Sequence, residues 1–498
     1  MKVENKYRIE TDSIGEKEIP TDALYGINSM RAVENFPYFT PIDIEWYKAM
    51  GDVKTAVYTS YKKFLKAIKE QYPNDEVPID LITEDVLDVL IEAGKEVAEG
   101  KHFDSYIVPA LNGGAGTSIN MNVNEIITNV ALIKLGKQPG EYTYIDPFED
   151  ANVYQSTNDV VPTALRLALI RLIVQLEESV HKLMYAVKRF ANNYKNSLRI
   201  GYTQMQAAVP SSYGKLFEAY YQALSRDRRR FERAPEIIKN VNLGGSAIGT
   251  AMGVPLFMVM DMADTLQKIT HQPISRASDL SDSTSNLDVF AEFHGLLKTH
   301  AVNLEKIVND IRLMASDVVG HYSINIPARQ VGSSIMPGKI NPVIPEFVIS
   351  VSHSVYANDV LVNSLCGQGC IDLNAYAPAI GNNIISSIRM LIAANDTTRE
   401  HLVEGLTINP EVDEANVYSS RSIATALNPF IGYKKSSEYS KMMRETGCSI
   451  FEANEKLKIM DKERLEYVLK PENLLQTGFT ISELMEEVYK RNNDKKQK

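Results

Sequence analysis

Cysteine is scarce in this chain of 498 residues: Cys366, Cys370 and Cys448 are the only three. Three thiols do not build a disulfide framework. Cys366-x-x-x-Cys370 has no second Cys/His pair near it, so a zinc site is not expected and reduced, idle thiols are. Clustered lysine and arginine are also missing, and the net charge is -10. Phosphate contacts need basic clusters, so nucleic acid is excluded as a partner. No apolar run reaches the ~18 residues of a membrane span. The opening Met1-Lys2-Val3-Glu4-Asn5-Lys6 has no apolar secretory stretch. A cytoplasmic protein with no membrane partner is the expectation. No paired acidic motif, metal-ligand cluster or Gly-x-Gly-x-x-Gly turn competes for the site, and no cofactor or metal is expected.

What remains is a soluble composition, 44% hydrophobic and 23% charged, on a chain too long for one hydrophobic core. Residues 1–145 read as a mixed, mainly helical domain opening with short strands. Residues 146–402 carry long helical patterns, and 403–498 form a small helical domain ending in a solvated basic tail. One helix is expected to start near Pro162 and run to about Phe190, apolar nearly all round between Ala164 and Leu176. A second spans about 285–319, with the stripe Phe290, Phe293, Leu297, Ala301, Leu304, Val308, Ile311 and Met314. A third begins at Pro342, and a fourth covers about 384–402. Helices this long suggest a bundle, and ones this apolar suggest burial between subunits.

Four polar patches stand apart in the sequence, each read as the end of a long helix. Asn112-Gly113-Gly114-Ala115-Gly116-Thr117-Ser118 leads to Asn120 and Asn122; Thr117 or Ser118 is expected to cap a helix whose N-terminus also favours an anion. Gln155-Ser156-Thr157-Asn158-Asp159 is rich in capping residues. Gly201-Tyr202-Thr203-Gln204-Met205-Gln206 precedes Val209-Pro210. Gly332-Ser333-Ser334-Ile335-Met336-Pro337-Gly338-Lys339-Ile340-Asn341 brings a hydroxyl, an ammonium and an amide into one loop. Apart from Lys339 the patches are neutral donors, which suits a small dicarboxylate.

The order G-S-x-x-M-x-x-K-x-N in that last loop resembles the signature of the aspartase/fumarase superfamily. Tyr25-Gly26 through Arg31-Ala32, Glu34-Asn35 and Phe36 resembles the N-terminal block of aspartases. The resemblance runs from about Tyr7 to beyond Tyr433. It implies a mainly α, three-domain fold with a central bundle of five long helices. It also implies a homotetramer in which each site is assembled from three subunits, and a succinyl compound as substrate. Carried over by position, Ser333 matches the catalytic base, and Lys339 and Asn341 match residues that hold the carboxylate to be polarised. Thr117, Ser156, Thr157, Asn158 and Thr203 match substrate-binding positions. The implied chemistry is anti-elimination through an aci-carboxylate, with loss of ammonia from L-aspartate. Related readings are a C–N lyase for a modified aspartate, a fumarate hydratase, and a catalytically silent homologue acting as a scaffold.

The chain departs from the pattern at several points. Gln204 stands where the family has a histidine that pairs with a glutamate, here matched by Glu346. Tyr154 replaces a small residue before Gln155. Tyr202, Ala207 and Cys370 occupy positions where arginine, aspartate and an amide are usual. These departures imply a remodelled pocket beside an intact base loop, with Gln204 as a substrate contact.

Overall fold

The computed structural model describes residues 6–318 and 323–485; the segment from Lys490, read as a solvated tail, lies outside them. An antiparallel hairpin of β1 (Tyr7–Asp12) and β2 (Gly15–Pro20) precedes α1 (Ile27–Asn35), α2 (Ile44–Gln71), α3 (Glu84–Ala98) and α4 (Thr117–Lys134). α5 (Thr157–Asn193) leads into a hairpin of β3 (Leu198–Thr203) and β4 (Gln206–Ser212), then α6 (Tyr213–Ile238). Next come β5 (Asn240–Val241), α7 (Leu256–Thr270), β6 (Ser275–Arg276), α8 (Leu280–Ser285), α9 (Asp288–Met314) and β7 (Ile324–Asn325). α10 (Val343–Cys366) and α11 (Ala377–His401) follow, with β8 (Thr407–Ile408) after them. The chain closes with α12 (Pro410–Ser419), α13 (Asn428–Ile431), α14 (Tyr433–Thr446), α15 (Ile450–Leu457), α16 (Lys462–Val468) and α17 (Pro471–Leu474).

Two helices start earlier than their sequence pattern suggests. α5 begins at Thr157 rather than near Pro162, because Ser156 and Asp159 cap it reciprocally: Asn158 N donates to Ser156 Oγ and Ser156 N to the Asp159 carboxylate. Pro162 therefore falls in the second turn, where its missing N–H would leave Asn158 O unpaired. The Asn242 amide donates to that oxygen at 2.9 Å instead. α11 starts at Ala377, not near Ile384, after an Asx turn in which Tyr376 N donates to Asn374 Oδ1.

The chain packs as two compact units, Met1–Glu178 with Asp227–Ala301 and Val351–Ala393, and Ser179–Arg226 with Val302–Ser350 and Ala394–Lys498. Six helices among the described residues are 24 to 37 residues long; α2 lies within the first unit, while α5, α6, α9, α10 and α11 each have residues in both.

In the first unit α2 packs on α3 and α7. A β-carbon at Gly51 would lie 2.3 Å from Ala98 N, and one at Gly94 would lie 2.6 Å from Thr55 Oγ1. Glycine at both positions thus lets α2 and α3 approach backbone to backbone. The N-terminus of α1 is held by two buried carboxylates. Glu125 accepts from the N–H groups of Gly26, Asn28 and Ser29 and from the Ser29 hydroxyl; Glu10 accepts from Ile27 N. α9, α10 and α11 are joined by buried His294, which bonds Asp359 and Ser387 at 3.0 Å each.

In the second unit Asn395 bonds Ser179, tying α11 to α5, and Tyr220 bonds Asp310, tying α6 to α9. A separate core under the C-terminal helices gathers Leu198, Val417, Ile423, Leu427, Tyr439, Ile450 and Leu465. Ser449 and Glu452 form a capping box at the start of α15.

Candidate active site

The first unit brings two of the four patches together. Thr117 is the first residue of α4, not its cap: Gly116, left-handed at φ +95°, takes that place, and the Thr117 hydroxyl donates to Gly114 O at 2.8 Å. A β-carbon at Gly116 would meet Val161 and Pro378, so this turn lies against the second turn of α5 and the first of α11. Ala115, Asn158, Pro162, Thr284 and Asn374 line one small cavity there. Thr157 is buried, while Ser156 and Asn158 are half-buried.

A loop that the sequence analysis did not single out holds the second of these patches. Residues 242–251 clasp the 156–159 turn by three bonds. Asn242 reaches Asn158 O, the Asn158 amide donates to Ala247 O at 2.7 Å, and Ser246 N donates to Asp159 Oδ2 at 3.0 Å. Its signal was the glycine-dense run Leu243-Gly244-Gly245-Ser246-Ala247-Ile248-Gly249. A β-carbon at Gly249 would come within 2.3 Å of the Ser281 backbone. Asp159 is fully buried, and burial pushes its pKa up to about 7 against the pull of the Ser246 and Ser156 N–H groups.

Tyr154 packs into an aromatic cluster on α2. It adopts φ +52° and stacks on Tyr61, 5.7 Å between ring centres, with Phe64 edge-on. The bulk that replaced a small residue is spent on this aromatic cluster.

The second unit holds the other two patches. In the signature loop, Gly332 N donates to Lys339 O and the Asn341 amide to Gly332 O, each at 2.8 Å, closing the loop at its neck. Ser333 Oγ accepts from Ile335 N at 3.2 Å and from Met336 N at 3.0 Å. Two N–H dipoles thus point at the hydroxyl oxygen and favour its alkoxide. The loop tip is open, with Ile335 83% exposed. Lys339 is exposed and makes no ion pair among the described residues. Upstream, Arg329 donates to the carbonyls of Glu400 and His401 at the end of α11.

Thr203 and Gln204 lie at the tip of the β3–β4 hairpin, not at a helix end as expected. The alternation of Leu198, Ile200 and Tyr202 makes a strand, and a two-residue turn reverses it. Gln204 and Met205 both adopt positive φ, +51° and +56°. Such mirror-type turns match hairpin twist but favour Asn-Gly, so this tip is strained. Met205→Gly is expected to stabilise the protein by about 1 kcal/mol by relieving one of the two strained residues. Denaturant midpoints of the two proteins would check this, and an equal or lower midpoint would contradict the strain. No hydrogen bond joins Gln204 to Glu346 among the described residues.

The chain matches the Lyase family over residues 15–357 and the fumarase C C-terminus family over residues 423–476. It is 39% identical over 470 residues to an aspartate ammonia-lyase of Pseudomonas aeruginosa, covering 94% of this chain and 97% of that protein. It is 35% identical over 489 residues to an aspartate ammonia-lyase of Escherichia coli, covering 97% and 99%. Among solved structures it resembles the fumarate lyase:delta crystallin of Brucella melitensis bound to cobalt, with TM-score 0.87 and 36% identity over 94% of this chain and 99% of that one. A class II fumarase from Schistosoma mansoni shares the fold, with TM-score 0.84 at 24% identity over 93% and 98%. A long-helix enzyme of the lyase class is what fold and comparisons define together. The chain belongs to the aspartase/fumarase superfamily of lyases.

Proposed function

We propose that this chain reversibly removes ammonia from L-aspartate to give fumarate. The observation that carries the reading is the Ser333 oxygen cradled by two backbone N–H donors in a loop that also carries Lys339. Aspartate ammonia-lyases at 35–39% identity over nearly the whole chain support the substrate. Ser333 takes the proton from the carbon next to the side-chain carboxylate. The electron pair moves into that carboxylate, giving an aci-carboxylate with two negative charges. Lys339, the neighbouring N–H groups and the second N–H of the Asn341 amide, whose first N–H closes the loop neck, stabilise it. Collapse forms the double bond and breaks the C–N bond of the substrate's ammonium group, which leaves as ammonia, and the proton held by Ser333 passes to solvent, where the ammonia can take it up. Thr117, Ser156, Thr157, Asn158, Thr203 and Gln204 hold the substrate.

The site residues fall in two units, and the long helices keep uncovered apolar side chains such as Val174, Val302, Val360 and Leu361. Both facts support a homotetramer whose subunits share each site. A stable, active monomer in sedimentation measurements would contradict the assembly. A cytoplasmic enzyme needing no cofactor, divided into domains at about residues 145 and 402, belongs to the same reading.

An N-substituted aspartate is the second reading, and Gln204 favours it, since a neutral amide on an open hairpin tip no longer offers a titratable cation. The test is fumarate release, followed by ultraviolet absorbance, from aspartate, N-substituted aspartates and malate. No turnover of any of them would leave the silent scaffold, and malate alone would make the chain a fumarate hydratase. Gln204→His separates the first two readings. With aspartate as substrate it should lower KM about ten- to a hundredfold by restoring a charge-assisted bond. With a substituted aspartate it should damage turnover, and unchanged constants for every compound would remove residue 204 from the site.

A further inference from the structure

Lys54, on α2, is fully buried, an unusual position for a lysine. Its Nζ donates to Asn120 Oδ1 at 2.7 Å, to Gln155 Oε1 at 2.8 Å and to Asn152 Oδ1 at 3.4 Å. Three acceptor oxygens match the three protons of an ammonium; a neutral amine would have only two to give. Asn152 Oδ1 also accepts from the amides of Asn120 and Asn124, so α4 and the segment before α5 are cross-linked around this nitrogen. Buried Asp159 acts on it electrostatically and favours its charged form. Its three hydrogen-bond partners are neutral amides, and Asp52 on its own helix is engaged by Arg171. Lys54 and Asp159 thus bracket the turn. The lysine grips Gln155 on one side, and the carboxylate grips Ser156 N and Ser246 N on the other. Between them lie Ser156, Thr157 and Asn158 and the N-terminus of α5.

We propose that Lys54 is a positioning residue for the 155–158 turn: its buried ammonium fixes that turn through Gln155 and supplies the positive charge behind it that helps a substrate carboxylate bind. A buried ammonium costs more than an apolar side chain of the same shape. A purely structural strut at this point would be cheaper as methionine, and the three-way fit to amide oxygens gives the charge its use. Burial pushes the Lys54 pKa down to about 7, with Asp159 opposing. The lysine's grip is therefore half lost at about pH 7 and fades above it, while Asp159, also pushed up to about 7, ionises over the same stretch and tightens its own hold, so the lysine's part is read as the difference between wild type and Lys54→Met. The substrate half of the inference rests on the reading that residues 156–158 hold a carboxylate.

The experiment compares the full-length protein with Lys54→Met and Gln155→Glu across pH 6 to about 9, within the stretch where a lysine so shifted titrates. Two readouts are taken: amide hydrogen exchange of residues 155–160, and KM with kcat for aspartate. Measured against Lys54→Met, which keeps the Asp159 titration, exchange in the wild-type turn and KM should both rise above about pH 7, with kcat changing less. Lys54→Met should show fast exchange and raised KM at every pH, with no such rise left. Gln155→Glu places an anion against the ammonium and should move the rise upward by about one pH unit or more. That variant keeps the test decisive if Lys54→Met does not fold. A turn as well protected in Lys54→Met as in the wild type, or a Gln155→Glu profile superimposable on the wild type's, overturns the proposal. Exchange that responds as described, in a protein that turns over no aspartate, overturns the substrate reading and its carboxylate half while upholding the positioning of the turn.

Discussion

Ser333→Ala is expected to lower kcat by about two to four orders of magnitude, the usual worth of a positioned general base. A free hydroxyl is far too weak an acid to serve as a base at neutral pH. The loop meets that requirement in part, because Ile335 N and Met336 N already point at Oγ. Alanine removes the oxygen and leaves two N–H groups in an exposed loop, where water takes them over. The thermal midpoint should therefore hardly move. Fumarate release and calorimetry on the same preparation would decide the matter. A folded variant with near-normal kcat would remove Ser333 from the role of base.

Lys339→Met should cost about two to three orders of magnitude in kcat/KM, the range for losing one preorganised stabiliser of developing negative charge. The lysine is exposed and forms no ion pair among the described residues, so its removal breaks no internal contact. Its charge matters most when the substrate carries two negative charges on one carboxylate, so kcat should fall at least as much as KM rises. Lys339→Arg should restore only part of the loss, because a planar fork does not occupy the place of a point charge. A loss confined to KM would mean that Lys339 binds ground state and transition state alike.

The long helices were legible because their apolar stripes are long and regular. Phe290 through Met314 needed no tertiary information to be read as one face of α9. Helix starts were less legible. Pro162 reads as a first-turn residue, and only the Asn242 amide, 80 residues further along, explains why the helix tolerates it one turn deeper. Thr117 reads as a cap until Gly116 is seen in the left-handed region. The hairpin around Gln204 and Met205 lacks the Asn-Gly that usually announces such a turn, so its local chemistry pointed elsewhere.

The chain order by itself determined the helical class and the superfamily and singled out the loop proposed to carry the chemistry, because periodicity and a closely spaced motif are properties of neighbours in sequence. Only the tertiary structure decided which patches share a unit, where Tyr154 puts its ring, and what holds the 156–159 turn. Those outcomes depend on contacts between distant segments: Lys54 with Gln155, Asp159 with Ser246, Asn158 with Ala247. A buried lysine and a helix-interior lysine on an ordinary surface look alike in sequence. They differ only in whether other segments fold over the ammonium and supply the oxygens that make its burial tolerable.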